Sequence, residues 1–168
     1  RYPEAEAQYQ RALRICERLW GPEHPKTATS LNNLAELYHA HGRDPEAIPL
    51  LRRAVEIDEK ALGPAHPDLA VRLNNLGSVL VSQGAFDEGE GLYRRALEIW
   101  EKAFGADGAQ NAVAWNNLGD LYLKRQRYVN AESCDRRALE IWTRHMGKDS
   151  AQAAVALHNL ADVYAVQG

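Results

Sequence analysis

Apolar residues recur at steps of three and four along most of this chain, which is the spacing of one face of an α-helix. Leu31, Leu34 and Leu37 show the pattern in one stretch. Glycine and proline interrupt it at intervals, where a helix ends or a new one begins. The pattern predicts an all-α fold of about eight antiparallel helices, near residues 3–19, 25–41, 45–61, 67–83, 87–103, 109–125, 129–145 and 151–167.

The helical pattern returns at a fixed offset of 42 residues. LNNLA at 31–35 comes back as LNNLG at 73–77 and as WNNLG at 115–119. A self-match of this kind predicts a stack of helical hairpins that form one continuous core. We therefore expect a single array over residues 1–168, a fragment of a longer one, with repeats 1–42, 43–84, 85–126 and 127–168.

The third repeat carries a recognisable signature. Trp115, Leu118, Gly119 and Tyr122 follow the W-x2-L-G-x2-Y pattern, which favours a tetratricopeptide hairpin over a HEAT or armadillo unit. With the GPxHP turns at 21–25 and 63–67, the chain resembles the 42-residue tetratricopeptide repeats of kinesin light chains and bacterial signalling proteins. The resemblance implies a right-handed α-α superhelix whose concave groove binds an extended or helical peptide of a protein partner.

The resemblance also implies which residues line that groove. They are Thr29, Asn32, Asn33, Glu36, His39, Val71, Asn74, Asn75, Ser78, Val81, Val113, Asn116, Asn117, Asp120, Leu123, Val155, His158, Asn159, Asp162 and Ala165.

The asparagine pairs are the distinctive part of this set. Asparagine both donates and accepts hydrogen bonds, so a ladder of it can bind a peptide backbone whatever its side chains. We expect the first asparagine of each pair, at 32, 74 and 116, to face the ligand. The alternative is that one member of each pair bonds a neighbouring helix and sets the repeat spacing.

Charge refines the expected ligand. Glu36, Asp120 and Asp162 stand in the inferred groove against one nearby cation, Lys124. The kinesin light chain pattern is basic and takes acidic peptides, whereas this groove favours a neutral or mildly basic one.

Composition excludes several other functions. A net charge of −3 and a pI near 6.1 provide no basic surface for nucleic acid. No run approaches the roughly 20 apolar residues that span a bilayer, so no membrane partner is expected. Cys16 and Cys134 suggest no disulfide framework, and a cytoplasmic location follows.

Nothing in the sequence suggests catalysis. The eye-catching polar residues recur with the repeat, and no nucleophile and base, phosphate loop or carboxylate pair stands outside it. His24 and His66 recur in the turns and are expected to form local hydrogen bonds rather than bind a metal. We therefore expect no enzyme activity, no cofactor and no metal site.

The end helices support a second hypothesis, which is self-association. Leu13 on the first helix and Leu157, Leu160 and Val163 on the last should keep uncovered apolar surface. Gly168 followed by Arg1 of another copy would reproduce the Gly42–Arg43 step, so copies could stack end to end as a homo-oligomer.

Two further positions stand out from the repeat. Arginine returns at 11, 53, 95 and 137, either as an anion ladder or paired with carboxylates of the adjacent repeat. Asp135 replaces the apolar Tyr9, Leu51 and Tyr93 of the other repeats, and the pattern gives no reason for it.

Overall fold

The computed structural model describes residues 1–167 and contains within them eight α-helices and no β-strand. The helices are α1 (Tyr2–Trp20), α2 (Pro25–Ala40), α3 (Asp44–Leu62), α4 (Pro67–Ser82), α5 (Phe86–Phe104), α6 (Asn111–Lys124), α7 (Tyr128–Met146) and α8 (Ala151–Gln167). Each predicted boundary lies within two residues of the observed one. Gly168, on which the predicted step to a second copy depends, lies outside the described residues.

The helices form two compact bodies. The N-terminal body comprises Arg1–Leu92 and the C-terminal body begins at Tyr93. In the N-terminal body, Leu34, Ala35 and Leu51 belong to one buried cluster. A second cluster joins Ala28 and Leu31 of α2 to Ala54 and Ile57 of α3. Full burial of each large aliphatic side chain stabilises the fold by roughly 1.5–3 kcal/mol.

The C-terminal body repeats the second of these contacts. Ala112 of α6 lies in a cluster with Ala138 and Ile141 of α7 and with Ala156 of α8. These alanines are fully buried, and their small side chains let the helices approach closely. The positions equal those of Ala28, Ala54 and Ile57 shifted by 84 residues, so the two bodies use the same packing register.

The turn histidines cap helices. His24 Nδ1 accepts a hydrogen bond from the backbone N–H of Lys26 at 3.1 Å, and His66 Nδ1 accepts one from that of Asp68 at 3.2 Å. Each proline that follows occupies the first helical turn, where its missing N–H costs nothing. The local hydrogen-bonding role predicted for His24 and His66 is confirmed.

One turn departs from the glycine pattern. Gln126 has φ 58°, whereas the equivalent residues of earlier repeats are Gly42 and Gly84 with φ 71° and 80°. A left-handed conformation costs a side chain roughly 1 kcal/mol. Gln126→Gly should therefore raise the free energy of unfolding by about 1 kcal/mol, measured by urea denaturation. Gly84→Gln should lower it by a similar amount, and equal stability of all three proteins would contradict the prediction.

Candidate functional site

A small hollow opens on the N-terminal body between α2 and α4. Its volume is about 100 Å³, and it is lined by Glu36, His39, Leu51, Asn75, Ser78 and Val79. Leu51 and Val79 are buried and form an apolar floor, while the other four side chains form a polar rim. The rim residues are ones that the sequence placed in the groove, and the structure brings them together.

Glu36 supplies the negative charge of this rim. Its Oε1 accepts hydrogen bonds from Asn32 Nδ2 at 2.7 Å and from Asn75 Nδ2 at 2.6 Å. No lysine, arginine or histidine within residues 1–167 forms an ion pair with it. The amides orient an exposed carboxylate without neutralising it, so its charge remains available to a ligand.

His39 is held on the other side of the hollow by a buried carboxylate. Its Nδ1 lies 2.7 Å from Asp44 Oδ1, and Asp44 is 5% exposed. Asp44 Oδ2 also accepts from Ser82 Oγ at 2.5 Å and Gln83 Nε2 at 2.9 Å. Burial works against ionisation, but the bonds from Ser82, His39 and Gln83 together hold the pKa of Asp44 below its usual value.

The bond to Asp44 fixes the orientation of the imidazole and links the end of α2 to the start of α3. In the described part of the chain, no serine, threonine or cysteine forms a hydrogen bond with His39. The pair therefore positions a ring at the rim of the hollow. Sequence reasoning missed Asp44 because the position is not periodic, being Tyr2, Phe86 and Tyr128 in the other repeats.

The asparagine pairs are bonded to each other. Asn75 Nδ2 donates to Asn32 Oδ1 at 2.9 Å, and Asn159 Nδ2 donates to Asn116 Oδ1 at 3.0 Å. In both cases the second asparagine of one repeat binds the first asparagine of the preceding repeat. The alternative, that a member of each pair bonds a neighbouring helix, is confirmed for these two pairs.

The expectation that the first asparagine faces a ligand is wrong for two residues. Asn32 is 2% exposed and Asn74 is 7% exposed. For Asn32, the interhelix amide bond accounts for the burial, because it draws the side chain into the contact between α2 and α4. Half-buried side chains remain at Asn33, Asn75, Asn116, Asn117 and Asn159.

The acidic groove positions of the C-terminal body have cationic neighbours. Lys124 Nζ lies 2.7 Å from Asp120 Oδ2, and His158 Nε2 lies 3.9 Å from Asp162 Oδ2. Val71 in the first body and Val113 in the second are 37% and 39% exposed, as expected for shallow apolar contacts. The unneutralised acid of the predicted set is therefore Glu36.

The predicted self-association residues are not all on the surface. Leu157 is 51% exposed, but Leu160 and Val163 are 6% and 0% exposed because α8 packs this side against α7. Leu13 is half-buried against both clusters of the N-terminal body. The expectation of uncovered apolar surface is wrong for Leu160 and Val163; the exposed apolar residues of α8 are Val155, Leu157, Tyr164 and Val166.

Other kinds of site were sought over residues 1–167. No group of three or more histidine, cysteine, aspartate or glutamate side chains in this range is arranged to hold a metal ion. None of the helices described combines the length and the apolar character needed to cross a bilayer. Cys16 and Cys134 are free thiols.

Comparisons with known proteins agree with the repeat pattern. The tetratricopeptide repeat family model matches residues 1–60, 42–102, 68–128 and 110–168. The crystal structure of BtubC (BKLC) from P. vanneervenii is similar with a TM-score of 0.86 and 29% identity, over 99% of this chain and 66% of that one. This chain therefore spans just under two thirds of the length of BtubC.

A putative kinesin light chain of Podosopora anserina with nearly identical TPR-like repeats is also similar. Its TM-score is 0.79 at 22% identity, covering 99% of this chain and 79% of that one. A variant of that protein with one substitution gives 0.80 with the same identity and coverage. The search of curated proteins gives no significant match. The resemblance and the all-α tetratricopeptide solenoid class predicted from the sequence are confirmed.

Proposed function

This chain belongs to the tetratricopeptide repeat family, and we propose that it binds a peptide of a partner protein at the α2–α4 hollow of the N-terminal body. Repeats of this family generally mediate protein–protein interaction and are typically not enzymes. The observation that carries the proposal is the hollow itself, with its apolar floor and its oriented polar rim.

The hollow suits one side chain of a peptide. Its floor of Leu51 and Val79 would cover an apolar stem, and exposed Val71 on the same helix as Val79 offers a further apolar contact. Peptides bound in grooves of helical proteins place such anchors at intervals and hold their backbone by polar contacts. Half-buried Asn75 and Asn33 stand at positions from which amides can make such contacts.

The rim sets the preferred charge. Glu36 carries a carboxylate without a cationic partner, so a ligand that brings a lysine, an arginine or a neutral donor gains a charge-assisted hydrogen bond. An acidic side chain in the same place is repelled. The proposed ligand is therefore a neutral or mildly basic segment of another protein.

Binding of charge-swapped peptides tests this function. An array of peptide pairs that differ only in lysine against glutamate should bind the chain through the lysine versions. Glu36→Gln keeps an oxygen that accepts from Asn32 and Asn75 but removes the charge. We expect it to weaken binding of the best lysine peptide about tenfold in fluorescence polarisation, since a charged hydrogen bond contributes roughly 1.5–3 kcal/mol.

Glu56→Gln is the matched control, because Glu56 is exposed on α3 and does not line the hollow. It should leave the affinity unchanged. Tighter binding of the glutamate versions, or an equal loss in both variants, would overturn the proposal.

A further inference from the structure

Three arginines on α1 form a cationic patch that the peptide-binding proposal does not use. Arg11, Arg14 and Arg18 surround a hollow of about 380 Å³ together with Ile15. No side chain within residues 1–167 lies within ion-pair or hydrogen-bond distance of these three guanidinium groups. Exposed, uncompensated cations at one place are a binding surface for an anionic group.

The same positions are paired in later repeats. Arg53, which corresponds to Arg11, donates to Glu17 Oε1 at 2.8 Å. Lys60, which corresponds to Arg18, lies 3.7 Å from Glu23 Oε2. Both acceptors belong to α1 or to the turn after it, so the cations of α3 bind the preceding repeat.

The C-terminal body repeats this arrangement with one shared acid. Arg137, again equivalent to Arg11, donates to Asp107 Oδ1 at 2.8 Å and to the carbonyl of Ala106 at 3.1 Å. Arg144, equivalent to Arg18, pairs with Asp107 Oδ2. Asp107 lies in the turn between α5 and α6, so here too the cations reach back by one repeat.

An apolar contact accompanies the ion pairs in both bodies. Ala54 and Ile57 pack on Ala28 and Leu31, and Ala138 and Ile141 pack on Ala112. Ile57 and Ile141 are 1% and 0% exposed as a result.

The two halves of this contact also exist uncovered. On α1, Ala12 and Ile15 hold the places of Ala54 and Ile57, and Ile15 is 37% exposed. On α8, Ala154 and Leu157 hold the places of Ala28 and Leu31, and Leu157 is 51% exposed. In the turn before α8, exposed Asp149 holds the place of Asp107 and has no ion pair among the described residues.

We propose that a second copy of this chain docks its α1 on α8 and the α7–α8 turn of the first copy, in the register that α3 and α7 use internally. Ala12 and Ile15 of one copy cover Ala154 and Leu157 of the other. Arg11 and Arg18 bind Asp149 as Arg137 and Arg144 bind Asp107.

Arg14 strengthens the need for an outside acid. Its counterpart Glu140 bonds Arg137 at 2.8 Å and Arg144 at 2.9 Å within α7. An arginine there leaves Arg11 and Arg18 without an acid on their own helix. Because the two docking surfaces differ, the contact is heterologous, and further copies can add one after another.

Sedimentation velocity over a concentration series tests the proposal. The wild-type chain, at about 10 μM to about 1 mM, should show association that weakens in high salt. Arg11→Glu/Arg18→Glu and Asp149→Arg should each weaken association about tenfold, since two partly exposed ion pairs contribute roughly 1 kcal/mol or more. A mixture of these two variants should associate again, because the reversed charges are complementary.

Arg127→Glu is the matched control, since Arg127 is exposed and lies outside both surfaces. Circular dichroism establishes that each variant is folded. A monomer throughout the series overturns the proposal and leaves the patch to an acidic segment of another protein. Association that survives Asp149→Arg, or a mixture that fails to associate, overturns it as well. Peptide binding at the α2–α4 hollow uses other residues, so the two proposals fail independently.

Discussion

Asp135→Leu is expected to raise the free energy of unfolding at pH 8 by about 4 kcal/mol, since each pKa unit between folded and unfolded states corresponds to about 1.36 kcal/mol. Asp135 of α7 is fully buried, and neither of its carboxylate oxygens has a hydrogen-bond partner. Burial raises the pKa of Asp135 to about 7, from 3.8 for an exposed aspartate. Ionising this group inside the fold is therefore costly.

The neighbours of Asp135 do little to offset that cost. The Asn159 amide lies close enough to lower the pKa in part, but its hydrogen bond goes to Asn116 Oδ1. The charge of Asp120 raises the pKa further. The result is a carboxyl group that stays protonated in the folded chain under conditions in which the unfolded chain has lost the proton.

The direction of the pH dependence follows. Below pH 3.8 the carboxyl is protonated in both states, and it affects stability little. Between 3.8 and about 7 only the unfolded chain releases the proton, so the wild-type protein loses stability as the pH rises. The advantage of Asp135→Leu should be small near pH 4 and complete at pH 8. Urea denaturation across this range measures it.

Glu98→Leu is a control for the general effect of removing an acid, because Glu98 is exposed on α5. Its stability difference from wild type should not grow with pH. A constant difference for Asp135→Leu over the same range would contradict the prediction.

Gly119 offers a second check on the same site. A Cβ at Gly119 would collide with the Asp135 carboxylate, so Gly119→Ala should destabilise the wild-type chain. In the N-terminal body the equivalent residues, Ala35 and Leu51, lie together in one cluster. Gly119→Ala should therefore be tolerated once Asp135→Leu is present, which a double-mutant cycle measures as coupling.

Asp58→Ala is expected to lower the free energy of unfolding by about 4 kcal/mol, because it leaves a buried guanidinium without its counter-ion. Asp58 and Arg72 are 0% and 8% exposed, and Arg72 Nε lies 3.2 Å from Asp58 Oδ2. Arg72 also donates to Thr29 Oγ1 at 2.9 Å. Burial raises the pKa of Asp58 although Arg72 opposes it, and Oδ1 has no hydrogen-bond partner.

The other repeats show how this pair can be replaced. The same two positions hold Cys16 and Ser30, whose Sγ and Oγ lie 3.0 Å apart. In the C-terminal body they hold Trp142 and Ala156, which share an apolar cluster. The two positions thus exchange charge for volume together.

Asp58→Trp combined with Arg72→Ala should therefore recover the stability that either substitution alone removes. Replacing a buried ion pair with packed apolar groups is often neutral or stabilising by roughly 1–4 kcal/mol. Thermal and urea unfolding of the two single variants and the double variant measure the coupling. A double variant as unstable as the sum of the singles would contradict this account.

The helices and turns could be predicted from the sequence because they depend on local spacing. Apolar steps of three and four, and glycines where a helix must end, act within a few residues of each other. Gly42, Gly63 and Gly84 all have positive φ, and the caps at His24 and His66 involve neighbours two residues away. The groove-lining set could be inferred only by resemblance, and the burial of Asn32 and Asn74 shows its limit.

The sequence by itself determined the repeat length, the helix order and the family of this protein. The tertiary structure decided which polar side chains are left for a ligand. Asn75 reaches Asn32 and Arg53 reaches Glu17 across more than 30 residues, and such contacts depend on how one repeat lies on the next. Leaving Glu36 and the α1 arginines without partners depends on those contacts too, because a hydrogen bond or ion pair forms only where packing brings both groups within reach.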